Sequence, residues 1–376
     1  MWRRRRMAAA IFLGFLAASC APGGTLVPAG PHRVPSLSPG ATALIGSSHS
    51  MKLKGFHVLD ISFVDGRNGF LLGGFTSAPI TAVLRTSDGG RHWNTMASTP
   101  QPETHIAFST PRLGWAFGPD LYVTDDGGQT WEQQRAGGPP VAVAAEGRSL
   151  WVVTGACRVG PCSFRVQVSA DAGDTWRTAA IPTAIWGEHA ELARVGNMGW
   201  VVGSTAAPHG KVGLLRTADG GTTWTELRDP CDHWFYYGHP FKPIFESHLA
   251  PINAHQLWLR CTDEPAGGSS DGVLFTSTNA GASWHLAFVG ALANELHVAA
   301  LSPTSGWETD GAAGYWLVRI TADGRFHHPA VTGPAWADLQ FVDARHGWAA
   351  TGRTVFRTID GGDHWLAVRP HPSGCG

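Results

Sequence analysis

Ser169-Ala170-Asp171-Ala172-Gly173-Asp174-Thr175-Trp176 is the clearest copy of a phrase that returns along the chain. Further copies run Thr86 to Trp93, Thr124 to Trp131, Thr217 to Trp224, Ser277 to Trp284 and Thr358 to Trp365. An eroded copy begins Thr321-Ala322-Asp323-Gly324 and stops at Phe326 without its tryptophan. A unit that recurs every ~40 to 60 residues is one supersecondary element used repeatedly. Its chemistry is that of a tight hairpin turn. The acid accepts hydrogen bonds from turn amides, glycine supplies positive φ, and the indole opens the next strand and packs on a neighbour. The acids at this position are Asp88, Asp126, Asp171, Asp219, Asp323 and Asp360, with Asn279 in the fifth copy. Asn279 can accept the same bonds. Turn chemistry accounts for every residue of the phrase, so these acids are read as structural.

A second phrase precedes each turn: an apolar strand, a polar turn, then Gly-aromatic and a short apolar run. It reads Ile61-Ser62-Phe63 with Gly69-Phe70, Ile106-Ala107-Phe108 with Gly114-Trp115, and Leu192 with Gly199-Trp200. Leu301 with Gly306-Trp307 and Leu339-Gln340-Phe341 with Gly347-Trp348 follow, and Leu150-Trp151 and Leu257-Trp258 are variants. Each phrase and its turn supply about four short strands, which make one propeller blade. The expectation is an all-β, seven-bladed propeller over residues 51–370, with a short tail from 371 to 376. The chain would begin with an innermost strand and end with an outermost one, so the mode of ring closure stays open.

These residues resemble the BNR or Asp-box propellers, and within them the photosystem II stability and assembly factor group. The likeness is carried by Gly347-Trp348-Ala349-Ala350-Thr351-Gly352 followed by Arg357-Thr358-Ile359-Asp360-Gly361-Gly362-Asp363-His364-Trp365, and by Arg85-Thr86 and Arg216-Thr217. It covers residues 57–368. The resemblance implies the propeller fold. For function it leaves a choice, because Asp-boxes also occur in sialidases, other glycosidases and sorting receptors.

The 376 residues include 48 Gly and 17 Trp, as many tight turns and aromatic contacts between blades require. A net charge of -1 argues against a nucleic-acid partner. Arg3 to Arg6 and the apolar run Met7 to Ala18 have the form of an export signal spanning residues 1–20. Leu16-Ala17-Ala18-Ser19-Cys20 resembles a bacterial lipobox, with Ala17 where leucine is usual. Lipidation of Cys20 is expected, followed by a Pro/Gly/Ser-rich tether over 21–50. The product would be exported and anchored on the outer face of the bacterial cytoplasmic membrane, or secreted if the signal is cleaved without acylation.

Cysteine usage fits an oxidising compartment. Cys157 pairs most simply with Cys162 and Cys231 with Cys261, leaving Cys375 over. No Cys-x-x-Cys spacing supports a zinc site instead.

A quieter recurrence points to a site. Ten residues before the aromatic of each Gly-aromatic phrase stand Asp60, His105, Val141, Ala190, His248, His297 and Asp338. Two residues earlier, on the same strand face, come Glu103, Glu246 and Glu295, and Glu188-His189 is a near miss in the fourth blade. Innermost strands surround the axial channel, so these groups should gather at one mouth of it. They could bind a protein or small ligand, or simply pair with one another across a polar throat. A divalent metal is a further alternative, since carboxylate and imidazole are both common ligands; otherwise no cofactor is called for. The insertion Cys231 to Pro243 runs into this mouth, and its Trp234, Tyr236 and Tyr237 form either a recognition surface or an inward-folded lid.

The enzyme alternative is a sialidase-like glycoside hydrolase. It would need three arginines on the substrate carboxylate and a Tyr/Glu pair. Arg33-Val34-Pro35 echoes the early motif but lies in the tether, and tyrosine is confined to Tyr122, Tyr236, Tyr237 and Tyr315. The sequence leads to the expectation of a monomeric, non-catalytic binding propeller that acts as an extracytoplasmic scaffold or assembly factor.

Overall fold

The computed structural model describes residues 55–76, 78–98, 103–156, 162–182, 185–187, 189–204, 213–233, 244–263, 271–291, 297–310, 316–321, 331–333 and 336–370. They form seven antiparallel sheets, six of four strands and one of five. The innermost strands are Phe56–Phe63, His105–Phe108, Pro140–Glu146, His189–Val195, Ile244–Pro251, Val298–Ser302 and Trp336–Phe341. Each touches the inner strand before and after it, and Trp336–Phe341 touches Phe56–Phe63, so the sheets close into a ring. This is the seven-bladed propeller that the repeat predicts. Among the described residues no helix is long and apolar enough to cross a membrane.

Local chemistry dictates each hairpin. In the fourth blade the Thr217 hydroxyl donates to Asp219 Oδ1 at 2.8 Å and accepts the Gly221 amide at 3.0 Å. Asp219 Oδ1 accepts the Thr222 and Thr223 amides at 2.9 Å, and the Thr223 hydroxyl donates to Oδ2 at 2.6 Å. The side-chain bond from Thr223, then its amide, hold this carboxyl down to about 2. Asn279 Oδ1 accepts the Ser283 amide at 2.9 Å, so the fifth turn keeps its geometry. There the amide group donates to Ser283 Oγ at 2.8 Å, reversing the hydroxyl-to-acid bond of the other copies. Histidine takes the hydroxyl's place at His92 and His364, whose Nδ1 atoms stand 2.6 and 2.7 Å from Asp88 and Asp360. Asp323 lies outside the described residues.

The fourth and fifth positions of the phrase both take left-handed φ: Gly220 and Gly221 lie at 73° and 81°. Alanine fills the fourth position twice, with Ala172 at 69° and Ala280 at 58°. A β-carbon is strained there, so the surrounding structure must hold the turn in place.

What holds it is the preceding blade. The Gly-aromatic strand sends its indole N–H to the carbonyl of that fourth residue. Trp115 donates to Ala172 at 3.1 Å, Trp200 to Ala280 at 3.0 Å, Trp307 to Gly361 at 2.9 Å and Trp348 to Gly89 at 3.0 Å. All four indoles are buried, at 3% exposure or less. The apolar cores lie between sheets rather than within them. Phe63 stacks on Trp348 with centroids 3.6 Å apart, and Phe70 on Phe108 at 3.4 Å.

Ring closure needs no shared blade. The first and last sheets are each built from consecutive strands. Between them Gln340 forms a two-point clamp on Phe63, accepting its amide at 2.7 Å and donating to its carbonyl at 3.1 Å. The Val58 amide donates to the Gly352 carbonyl at 2.7 Å. Cys231 and Cys261 form a disulfide with Cα atoms 5.9 Å apart, as the spacing predicts. Cys157, Cys375 and Cys20 lie outside the described residues, and of Cys162 only the backbone is described, so the expected Cys157–Cys162 pair falls outside the description.

The indole latch can be isolated by comparison. Trp258 is equally buried but its Nε1 has no acceptor. Trp348→Phe should therefore cost about 1 kcal/mol more than Trp258→Phe, because only the first removes a hydrogen bond and strands a buried carbonyl. Denaturant unfolding of both variants measures the difference; equal losses would mean the latch contributes nothing.

Candidate functional site

The inner strand of any propeller has one edge facing the axis, where backbone amides lack a sheet partner. Here carboxylates from the adjacent blade supply acceptors. Asp60 takes the Ile61 amide on Oδ1 at 2.9 Å and the Ile106 amide of the next blade on Oδ2 at 2.8 Å. Glu191 takes the Leu249 amide of the fifth blade at 2.8 Å. Asp338 takes the Leu339 amide at 2.6 Å and a further bond from Ile61 in the first blade. Each acid also meets an imidazole from a neighbouring blade. His105 Nδ1 lies 3.4 Å from Asp60, His297 Nδ1 3.6 Å from Asp338, and His248 Nδ1 2.5 Å from Glu191.

Five of the expected residues are therefore brought together: Asp60, His105, His248, His297 and Asp338. Convergence shows in the electrostatics, since His297 feels the charges of His248, Asp60, Glu191 and His105 from four other blades. Burial, then the nearby His248, pushes the His297 pKa down to about 4. Its side chain is 34% exposed, so that surface must open onto the channel rather than onto the rim. Burial also works to lower His105, but hydrogen bonding and charge from Asp60 prevail and raise it. Asp338 is driven well above the usual carboxylate range by burial, by the charge of Asp60 and by a hydrogen bond with Asp60. Asp338 therefore holds its proton more tightly than an ordinary carboxyl, at the seam between the last and first blades.

Glu103 does not join this group, contrary to the expectation that it would line the channel beside His105. Its side chain is fully buried, with neither oxygen hydrogen-bonded to another side chain, and a β-carbon on Gly118 would sit 3.1 Å from Oε2. Burial and the charge of Asp120 raise its pKa to about 7. The strand enters the sheet only at His105, so the period-of-two argument fails two residues upstream. Glu188, Glu295, Trp234, Tyr236 and Tyr237 lie outside the described residues. His189 and Glu246 fall in the fourth and fifth inner strands, where their backbones are placed but their side chains are outside the description.

Two features escaped sequence reasoning. Glu191 is a contribution of the fourth blade that the count did not reach; it sits one residue past the counted position. The second is a fully buried ion pair, Arg260 Nε to Glu308 Oε1 at 3.2 Å, joining the second strands of blades five and six. Arg260 stands opposite His248 in its sheet, and Glu308 opposite Val298, the neighbour of His297. Gly272 leaves the space, since a β-carbon there would meet the guanidinium at 2.5 Å. A charge inside each of two otherwise apolar Gly-aromatic strands was the available signal.

No three His, Cys, Asp or Glu side chains among the described residues come together closely enough to hold a metal ion. The site can instead offer hydrogen bonds and a localised negative field to a larger group.

The BNR/Asp-box repeat family matches at residues 122–133. No curated protein matches by sequence. Among solved structures, YCF48 from Cyanidioschyzon merolae superposes with a TM-score of 0.57 at 17% identity, covering 82% of this chain and 97% of that one. YCF48 bound to D1 peptide gives 0.53 at 19% identity, covering 81% and 92%. An α-L-arabinofuranosidase from Fusarium graminearum gives 0.43 at 12% identity over 83% and 93%, too slight a likeness to argue from. The chain is a seven-bladed propeller with one segment that matches the Asp-box repeat. Its fold is the one YCF48 has.

The two flanking imidazoles should titrate far apart. In NMR, His297 is expected to remain neutral down to about pH 4. His105 should protonate above the ordinary histidine value, and Asp60→Asn should bring it back down. Because His297 is depressed, its contribution to stability is complete above the unfolded value of ~6.5 and falls away as pH drops through the folded value. Superimposable titrations of the two rings would refute the assignment.

Proposed function

We propose that this chain is a non-catalytic binding propeller that holds a segment of a protein partner at the mouth of its axial channel, acting as an extracytoplasmic scaffold or assembly factor. The observation that carries the reading is the convergence of three carboxylate–imidazole pairs, drawn from blades one, two, four, five, six and seven, on one throat. Rigid walls and a polar concavity at the hub suit recognition of a protruding segment. YCF48, which has the same fold, is known bound to D1 peptide, and that supports a peptide as the occupant. The aromatic insertion around Trp234, Tyr236 and Tyr237 would extend the contact beside the mouth. Cys20 would carry the lipid that keeps the ring at the outer face of the membrane.

A photo-crosslinking residue placed at His105 should capture a protein partner in the native host, whereas one at Leu366, exposed on the outermost strand, should not. Capture from Leu366 alone would move the site to the rim. Turnover of aryl glycosides that disappears in Asp338→Asn would replace binding by hydrolysis. Separately, Cys20→Ala should shift the protein from the membrane to the soluble fraction; unchanged fractionation would remove the anchor.

A further inference from the structure

The throat is not uniform around its circumference. On one side His248 and Glu191 close on each other at 2.5 Å, so their charges are mutually satisfied. On the other side four groups run across consecutive blades in the order His297, Asp338, Asp60, His105. Their imidazole–carboxylate distances are 3.6 and 3.4 Å, within electrostatic reach but too long or borderline for good hydrogen bonds. The central Asp338 and Asp60 carboxyls lie side by side, and both take the Ile61 amide. Among the described residues no lysine or arginine forms an ion pair with either acid; their side-chain ion partners are the two histidines. A carboxyl pair left without a cation retains a proton instead.

We infer that the arc His297–Asp338–Asp60–His105 recognises a single organic cation, the ammonium or guanidinium of a basic side chain on the bound segment. The inference rests on the proposed peptide-binding role and names the chemistry that role would use. Like-charged carboxyls attract a cation more strongly than either would alone, and a low-dielectric channel enlarges the effect. Among the described residues no three ligands come close enough for a bare metal ion; an ammonium or guanidinium needs only the two carboxyls and donates several hydrogen bonds to them. Occupation has a defined balance. The cation enters, the proton that Asp338 holds leaves to solvent, and the charge of the site is unchanged. Affinity must then rise with pH wherever that proton is still bound. Among the described residues, Asp338, Asp60, His105, His297, His248 and Glu191 are the titratable groups of the throat, with Glu103 buried behind His105.

The test is calorimetry on the full chain with three probes: a glycine-rich heptapeptide with one central lysine, the same peptide with norleucine, and n-butylamine alone. Buffers of different ionisation heat count protons. The lysine peptide should bind at least about tenfold more tightly than the norleucine peptide and release about one proton per site. Asp338→Asn, which retains an oxygen for the Leu339 amide, should lose both the preference and the proton release while melting as a folded protein. n-Butylamine should bind more weakly with the same release; binding as tight as the lysine peptide's would assign the site to a free amine instead. Equal binding of lysine and norleucine peptides, no binding of either, or binding without proton release would overturn the inference. If a partner is nonetheless cross-linked at His105, peptide binding stands and only the cation is wrong; if no partner is captured there while lysine still binds, the reverse holds.

Discussion

At four of the seven blade boundaries a buried indole N–H bonds the fourth residue of the next blade's turn, and this latch is the constraint from which the rest of the ring is best understood. Each turn on its own is a closed system of hydroxyl, carboxylate and amides, and would form a hairpin without orienting it. The indole ties that hairpin to its neighbour at one atom. Because the accepting carbonyl belongs to a residue at positive φ, the latch and the strained turn need each other. Ala172 and Ala280 show this best: a methyl group at φ 69° or 58° is unfavourable, yet both carbonyls receive a tryptophan. The final latch, Trp348 onto Gly89, runs from the last blade to the first and so belongs to the ring rather than to any one repeat.

At the hub the same need for satisfied backbone groups creates the site. Inner strands expose amides to the axis, and the protein answers with acids from adjacent blades rather than with water alone. Asp60 and Glu191 each bond a backbone amide across a blade boundary, and Ser62 does so as well, accepting the Phe108 amide at 2.8 Å. Serine is enough for that task. Acids at the other positions bring negative charge that backbone capping does not require, and imidazoles gather around it. The excess charge, beyond what stitching the blades demands, is the feature that asks for a ligand.

The fold was legible because its signal is local and repeated. Thr217-Ala218-Asp219-Gly220 specifies its own turn whatever surrounds it, and the spacing of copies counts the blades. The site was only partly legible. Counting back from the Gly-aromatic step found Asp60, His105, His248, His297 and Asp338, since inner-strand positions repeat with the blade. The count broke down where a strand starts late, which buried Glu103, and it passed over Glu191, one residue beyond the counted position in the fourth blade. Such shifts leave no trace in a pattern of alternation. Irregular registers are visible at Val58/Asp60 and Trp336/Asp338, next to two residues of the arc. A bulge re-aims a side chain, and these place both acids on the axis together. The Arg260–Glu308 pair was hidden for a different reason: its partners are joined only by the packing of separate sheets.

The arc straddles the seam where the first and last blades meet, and this position has a physical logic. Every other boundary is reinforced by a chain connection between consecutive blades, but the seam has none. It is held instead by the Gln340 clamp, the Val58–Gly352 bond, the Phe63–Trp348 stack and the Trp348 latch, a denser set of cross-contacts than any one hydrogen bond could provide. With so many restraints, the boundary can tolerate two acids side by side. The repulsion between Asp60 and Asp338 is relieved by a proton when the throat is empty and would be relieved by a cation when it is filled. Placing the two acids at a heavily clamped joint would keep the geometry of the pair fixed in both conditions, so that exchange of proton for cation needs no movement of the blades.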